Sequence, residues 1–102
     1  MNKIVDIYRE KDRLVVDFDS MASWSSFDEM IDFLVEEHHA FVVQKMDGAF
    51  ERICTLKVNG HELQLIYDDR SGNSLIAHTT ESEKIILKIA KEQFRVLPKK
   101  NL

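Results

Sequence analysis

Residues 53–66 read ICTLKVNGHELQLI, two alternating runs separated by Asn59-Gly60. Asn-Gly is the pair best suited to a two-residue hairpin turn, because both central residues need a positive φ that glycine adopts freely and asparagine tolerates. A turn there fixes the register. Val58 faces His61, Lys57 faces Glu62, Leu56 faces Leu63, Thr55 faces Gln64 and Cys54 faces Leu65. Ile53 then faces Ile66, Arg52 faces Tyr67 and Glu51 faces Asp68. In this register Cys54, Leu56, Leu63, Leu65 and Tyr67 share one face, while Lys57–Glu62 and Thr55–Gln64 share the other. A slip of one residue would exchange the faces and lose the sorting.

The same register opposes two like charges, Glu51 and Asp68, which is unfavourable. Asp69 follows, and Asp47 lies in the turn before the Glu51 strand. One end of the sheet is therefore expected to gather Asp47, Glu51, Asp68 and Asp69, with Arg70 and Asn73 at the rim. Two readings compete. The acids form a docking patch for a basic partner, with a divalent-cation site as a weaker variant. Alternatively the strands splay and the acids are simply solvated.

The remaining pattern gives the fold class. Ile4–Tyr8 and Leu14–Phe18 read as strands flanking a charged turn. Trp24, Phe27, Ile31, Leu34 and His38 recur at helical spacing, with Met30 and Val35 widening the stripe. Ser26 has capping-box spacing to Glu29, and Ser23 is an alternative cap. Strands follow at Phe41–Met46, Phe50–Val58, Glu62–Asp68 and Ser74–Thr79. Thr80 opens a second capping box before a helix that buries Ile85, Ile86, Ile89, Ala90 and Phe94. Leu97 would extend that helix and Pro98 would end it. The expected architecture is α+β, a two-layer single domain over residues 1–102, with an antiparallel meander in the order ββαββββα and two amphipathic helices on it.

At 102 residues and 44% hydrophobic content, one core is the natural expectation. The net charge of −4 argues against a duplex nucleic-acid binder, whose affinity comes from cations against phosphate. A single cysteine permits no intrachain disulfide. The opening residues are broken by charge, and no apolar run reaches the ~18 residues of a membrane span. The expectation is a cytoplasmic protein with no membrane association.

Few residues suggest chemistry. His38, His39, His61 and His78 lack helical zinc-pair spacing, and Cys54 falls on the core face, so no metal or other cofactor is expected. Cys54 has no adjacent base to make it a nucleophile. Lys84, Lys88, Lys91 and Arg95 form a basic stripe on the second helix, diluted by Glu81, Glu83 and Glu92, and read as a solvated face. Trp24 is expected in the core rather than at an interface. No nucleotide-binding, zincin or nucleophile-elbow motif is present, and no catalytic residue is assigned.

The segments WSSF (24–27), MDGAF (46–50) and NGHELQLIYDDRSGNSL (59–75) have a familiar layout. The chain, over Leu14 to Phe94, resembles small bacterial immunity proteins of polymorphic-toxin and contact-dependent growth-inhibition systems, and similar uncharacterised bacterial families. The resemblance is one of layout and transfers no individual residue. It implies a non-enzymatic protein-binding module that neutralises a toxin domain, such as a basic nuclease, by stoichiometric binding. The alternatives from the residues are a ligand-binding domain or small enzyme, and a homo-oligomer that uses Ile53 and Ile66, with Val42 beside them, as a dimer strip.

Overall fold

Asn59 and Gly60 both adopt positive φ, 52° and 81°, and the hairpin they close has the register read from the sequence at every pair from Val58–His61 to Glu51–Asp68. In the computed structural model, which describes residues 4–96, this hairpin is β4 (Glu51–Val58) and β5 (His61–Asp68). Cys54, Leu56, Leu63 and Leu65 are essentially inaccessible, and Tyr67 is buried beside them.

Around it lie β1 (Ile4–Glu10), β2 (Arg13–Asp17), α1 (Trp24–His38), β3 (Phe41–Asp47), β6 (Gly72–Ala77), α2 (Thr80–Gln93) and β7 (Arg95–Val96). The α+β class holds, but the sheet is not a simple antiparallel meander. It has seven strands in the order β3-β4-β5-β6-β2-β1-β7 and is mixed. The meander runs from β3 to β6. The β1–β2 hairpin then joins through an antiparallel β2–β6 pairing, and β7 pairs parallel with β1. Chain order could not supply these two pairings, because they close over long separations.

Helix α1 takes the alternative cap, Ser23, three residues before Ser26, and α2 is capped one residue before Thr80. Ser23 caps α1, accepting from the Ser26 N–H, and Thr79 caps α2, accepting from the Ser82 N–H. Ser26 and Ser82 thus become buried first-turn residues. The Ser82 hydroxyl donates to the Glu62 carbonyl at 2.6 Å, which ties α2 to β5. Phe27, Met30, Ile31 and Leu34 of α1 and Ile86, Ile89 and Ala90 of α2 fill the core. Val35 stays exposed, and Trp24 is 42% exposed, so neither belongs to the core stripe. The second helix ends at Gln93; Phe94 is extended and packs edge-on against Phe18 and Phe33, with centroids 5.2 and 5.7 Å away. Leu97 and Pro98 lie outside the described residues.

Ile53 and Ile66 pair on the sheet face away from the helices and are half-buried. Met46, rather than Val42, stands opposite Ile53, because a bulge between Val42 and Gln44 resets the alternation. Among the described residues, no helix is long and apolar enough to cross a membrane.

Candidate binding surface at the Phe50 end

The acidic end forms, but with a different membership. Glu51 and Asp68 are opposed as expected. Asp68 turns to the following loop, accepting from the Arg70 backbone N–H at 2.8 Å and from its guanidinium at 3.5 Å. The Arg70 amide, first among these contacts, holds the Asp68 carboxyl below the usual range. The strands do not splay: the Asp69 N–H donates to the Phe50 carbonyl at 3.1 Å and the Gly48 N–H to the Glu51 carbonyl at 2.7 Å. The two turns enclose a shallow depression of about 440 Å³ between Gly48–Glu51 and Asp68–Arg70. Phe50, 70% exposed, stands in it beside Glu51 and Asp69.

Two expected members sit elsewhere. Asp47 faces inward on the helix side of the sheet, bound to Arg52 at 2.8 Å. Asn73 is buried rather than at a rim. Its amide donates to the carbonyls of Met21 and Ser23, at 2.8 and 3.1 Å, and so anchors the loop that leads into α1. Glu51, Asp68, Asp69 and Arg70 do come together.

The alternating pattern also conceals a buried arginine. Arg52 occupies an inward position of β4 and is only 4% exposed. Its guanidinium meets both carboxylate oxygens of Asp28 at 2.8 and 3.0 Å, Asp47 at 2.8 Å and the Trp24 carbonyl at 3.0 Å. The same group lies over the rings of Trp24 and Phe27, 4.6 and 4.5 Å from their centroids. Lys45 adds a bond to Asp28 at 2.9 Å. Hydrogen bonds from Arg52 and Lys45 hold the Asp28 carboxyl down to about 2. Arg52 in turn is held further toward its charged form, first by Asp28 and then by Asp47. Buried charge is tolerated only when paired and hydrogen-bonded, and here the pairing locks α1, β3 and β4 together. Trp24 covers the guanidinium and meets Tyr67 edge-on at 5.5 Å. The available signal was the register itself, which set Arg52 opposite Tyr67 on the apolar face.

Strand β3 is the second feature that the sequence pattern did not reveal. Every one of its seven residues is exposed. Of the large hydrophobic side chains exposed among the described residues, Phe41, Val42, Val43, Met46 and Phe50 all come from this strand and the turn after it; only Trp24 and Val35 lie elsewhere. Apolar exposure is therefore concentrated next to the acidic turns rather than scattered, and concentration is what marks interaction surfaces.

The other candidates are quiet. Cys54 is fully buried, and burial pushes its thiol up, away from the reactive thiolate. Among the described residues no three of His, Cys, Asp and Glu are grouped to hold a metal. His38 is engaged with Gln93 in a groove of about 560 Å³ between the end of α1 and α2. Lys84, Lys88 and Lys91 are exposed on α2, while Arg95, also exposed, lies past the helix end in β7 and is not part of the helical stripe. Compared with protein-family models, curated proteins and solved structures, the chain matches none.

Proposed function

We propose that the protein is a protein-binding module, most concretely an immunity protein that neutralises a basic toxin domain inside the cell by stoichiometric occlusion. The observation that carries this reading is Phe50, 70% exposed in a shallow depression beside Glu51 and Asp69. An exposed aromatic with a charged rim has the anatomy of an interface: an apolar anchor that a partner can desolvate, surrounded by groups that steer and select it. Carboxylates around the anchor favour a partner presenting Lys or Arg, and they act mainly on encounter rate and specificity. The resemblance in layout to immunity proteins supports the same direction.

Affinity capture from the source organism tests the reading, with Glu51→Lys/Asp69→Lys as the control bait. Both substituted side chains are exposed, so the control remains folded by circular dichroism. The expected result is one basic protein recovered in a 1:1 ratio by the wild type and lost from the control, whose activity falls linearly to zero as the wild-type chain is added up to one equivalent. A partner retained equally by both baits contradicts the assignment of this end as the contact. Recovery of no protein by a folded wild-type bait, with the toxin gene expressed, contradicts the binding function.

A further inference from the structure

Strand β3 ends the sheet, and among the described residues no strand pairs with its outer edge. Its backbone N–H and C=O groups on that side are therefore open to a further strand. Long, apolar, unpaired edges usually invite indiscriminate pairing, and proteins guard them with bulges and charges. β3 carries both devices, the bulge at Val42/Gln44 and Lys45 at mid-strand. Lys45, however, is drawn toward the helix layer by Asp28. Its charge is thus held off the face that carries Phe41 and Met46, which remain 69% and 55% exposed. The edge is guarded but not closed.

Charge selects the occupant. Helix α1 reaches this strand through the Asp28–Lys45 bond and has no Lys or Arg; of its five carboxylates, Glu37 instead lines the groove against α2. Asp32 and Val35 follow Asp28 at i+4 and i+7, so they share the flank that meets β3 through the Asp28–Lys45 bond. Among the described residues, Asp32, Glu51 and Asp69 take part in no ion pair. A second copy paired through β3 would bring two such acidic flanks to the same side of the seam. A cationic segment would instead find carboxylates beside the edge and at its Phe50 end.

We infer that the outer edge of β3 accepts one extended, cationic strand of a partner protein, which lengthens the sheet by main-chain hydrogen bonds while apolar side chains cover Phe41 and Met46. This inference rests on the binding reading above and specifies its mode.

The test uses the full chain and a defined probe, a capped ten-residue peptide alternating valine and lysine. Two controls accompany it: the same peptide with glutamate for lysine, and the lysine peptide N-methylated at alternate backbone amides. The readout is residue-resolved amide hydrogen exchange. With the lysine peptide at about ten times its Kd, exchange across Phe41–Asp47 should slow by about tenfold relative to the free protein, and neither control should produce it. Equal protection by the N-methylated peptide overturns strand addition, because only side chains would then be recognised. Equal protection by the glutamate peptide overturns the charge argument. Protection confined to other strands, or none up to millimolar peptide, removes the edge as a docking site. Concentration-dependent dimerisation that protects β3 by itself assigns the edge to a second copy. The probe is independent of any natural partner, so a failure here with a 1:1 partner still captured removes the mode and leaves the binding function standing.

Discussion

Arg52 organises more of the molecule than any other polar residue. Its guanidinium is satisfied by groups from α1 and β3 and covered by two aromatic rings. Replacing it with methionine keeps the volume but removes charge-assisted hydrogen bonds worth about 1.5–3 kcal/mol each, while the released Asp28 and Asp47, both half-exposed, recover water. The net loss for Arg52→Met should be about 2 kcal/mol, read as a lower urea midpoint at unchanged m-value. Asp28 makes the same lock sensitive to acid. Its carboxyl is held at about 2, below its ordinary value near 4, so the ionised form is favoured by folding. The contribution is complete above pH 4 and is lost as the pH falls from about 4 to about 2. In Asp28→Asn, the fall in thermal midpoint across that window should be shallower than in the wild type; parallel curves would show that Asp28 does not carry it. None of this was legible locally. Trp24 and Asp28 lie in α1, Asp47 in β3 and Arg52 in β4, and helical spacing alone pairs Asp28 with no strand residue. Only the hairpin register hinted that a charged residue points inward.

At the scale of elements, local chemistry was readable and long-range closure was not. Asn59-Gly60 specified one turn, and a side-chain period of two then carried the register through eight pairs. The two helices were legible from their apolar spacing. At α1 the alternative cap, Ser23, is the one used, with Ser26 bonded beside it, and at α2 the cap moves by one residue to Thr79, which leaves Ser82 bonded to the Glu62 carbonyl. The β2–β6 pairing and the two-residue β7 left no periodic signature, since each depends on where distant segments meet. The exposure of β3 was hidden for the same reason: Phe41-Val42-Val43 is apolar by composition, and only strand order makes it an edge. The start of β6 offers a test of such a long-range contact. Gly72 has φ +80°, and a Cβ there would lie 2.8 Å from the Ala22 Cβ. Gly72→Ala should therefore cost more than the about 1 kcal/mol of a positive-φ alanine alone. Ala22→Gly in the same chain should recover the part of the clash due to the Ala22 Cβ, though the Ala22 Cα stays 3.0 Å away, giving a partial favourable coupling in a double-mutant cycle. Additive effects would mean that the Ala22 Cβ does not press on residue 72.

Across the whole molecule, charge and apolar exposure are distributed unevenly. Asp28 and Asp32 of α1, with Glu51 and Asp69, lie toward the β3 side, whereas Lys84, Lys88 and Lys91 line α2, which packs on β2, β5, β6 and β7. Exposed apolar residues cluster on the acidic side. A net charge of −4 hints at a basic partner, but only the folded arrangement puts an aromatic among the acids. Four of the six expected residues come together, Glu51, Asp68, Asp69 and Arg70, because their positions follow from one hairpin. Asp47 and Asn73 were misplaced because their roles depend on Arg52 and on the loop at Met21. The most direct measurement is a calorimetric titration of the captured partner with wild type and Phe50→Ala. Phe50 is exposed, so the variant should keep its stability to within about 0.5 kcal/mol. As a buried interface anchor, Phe50 should contribute at least about 2 kcal/mol to the complex, and its loss should raise Kd by about thirtyfold at unchanged 1:1 stoichiometry. An unchanged Kd would contradict the assignment of the Phe50 end as the binding surface.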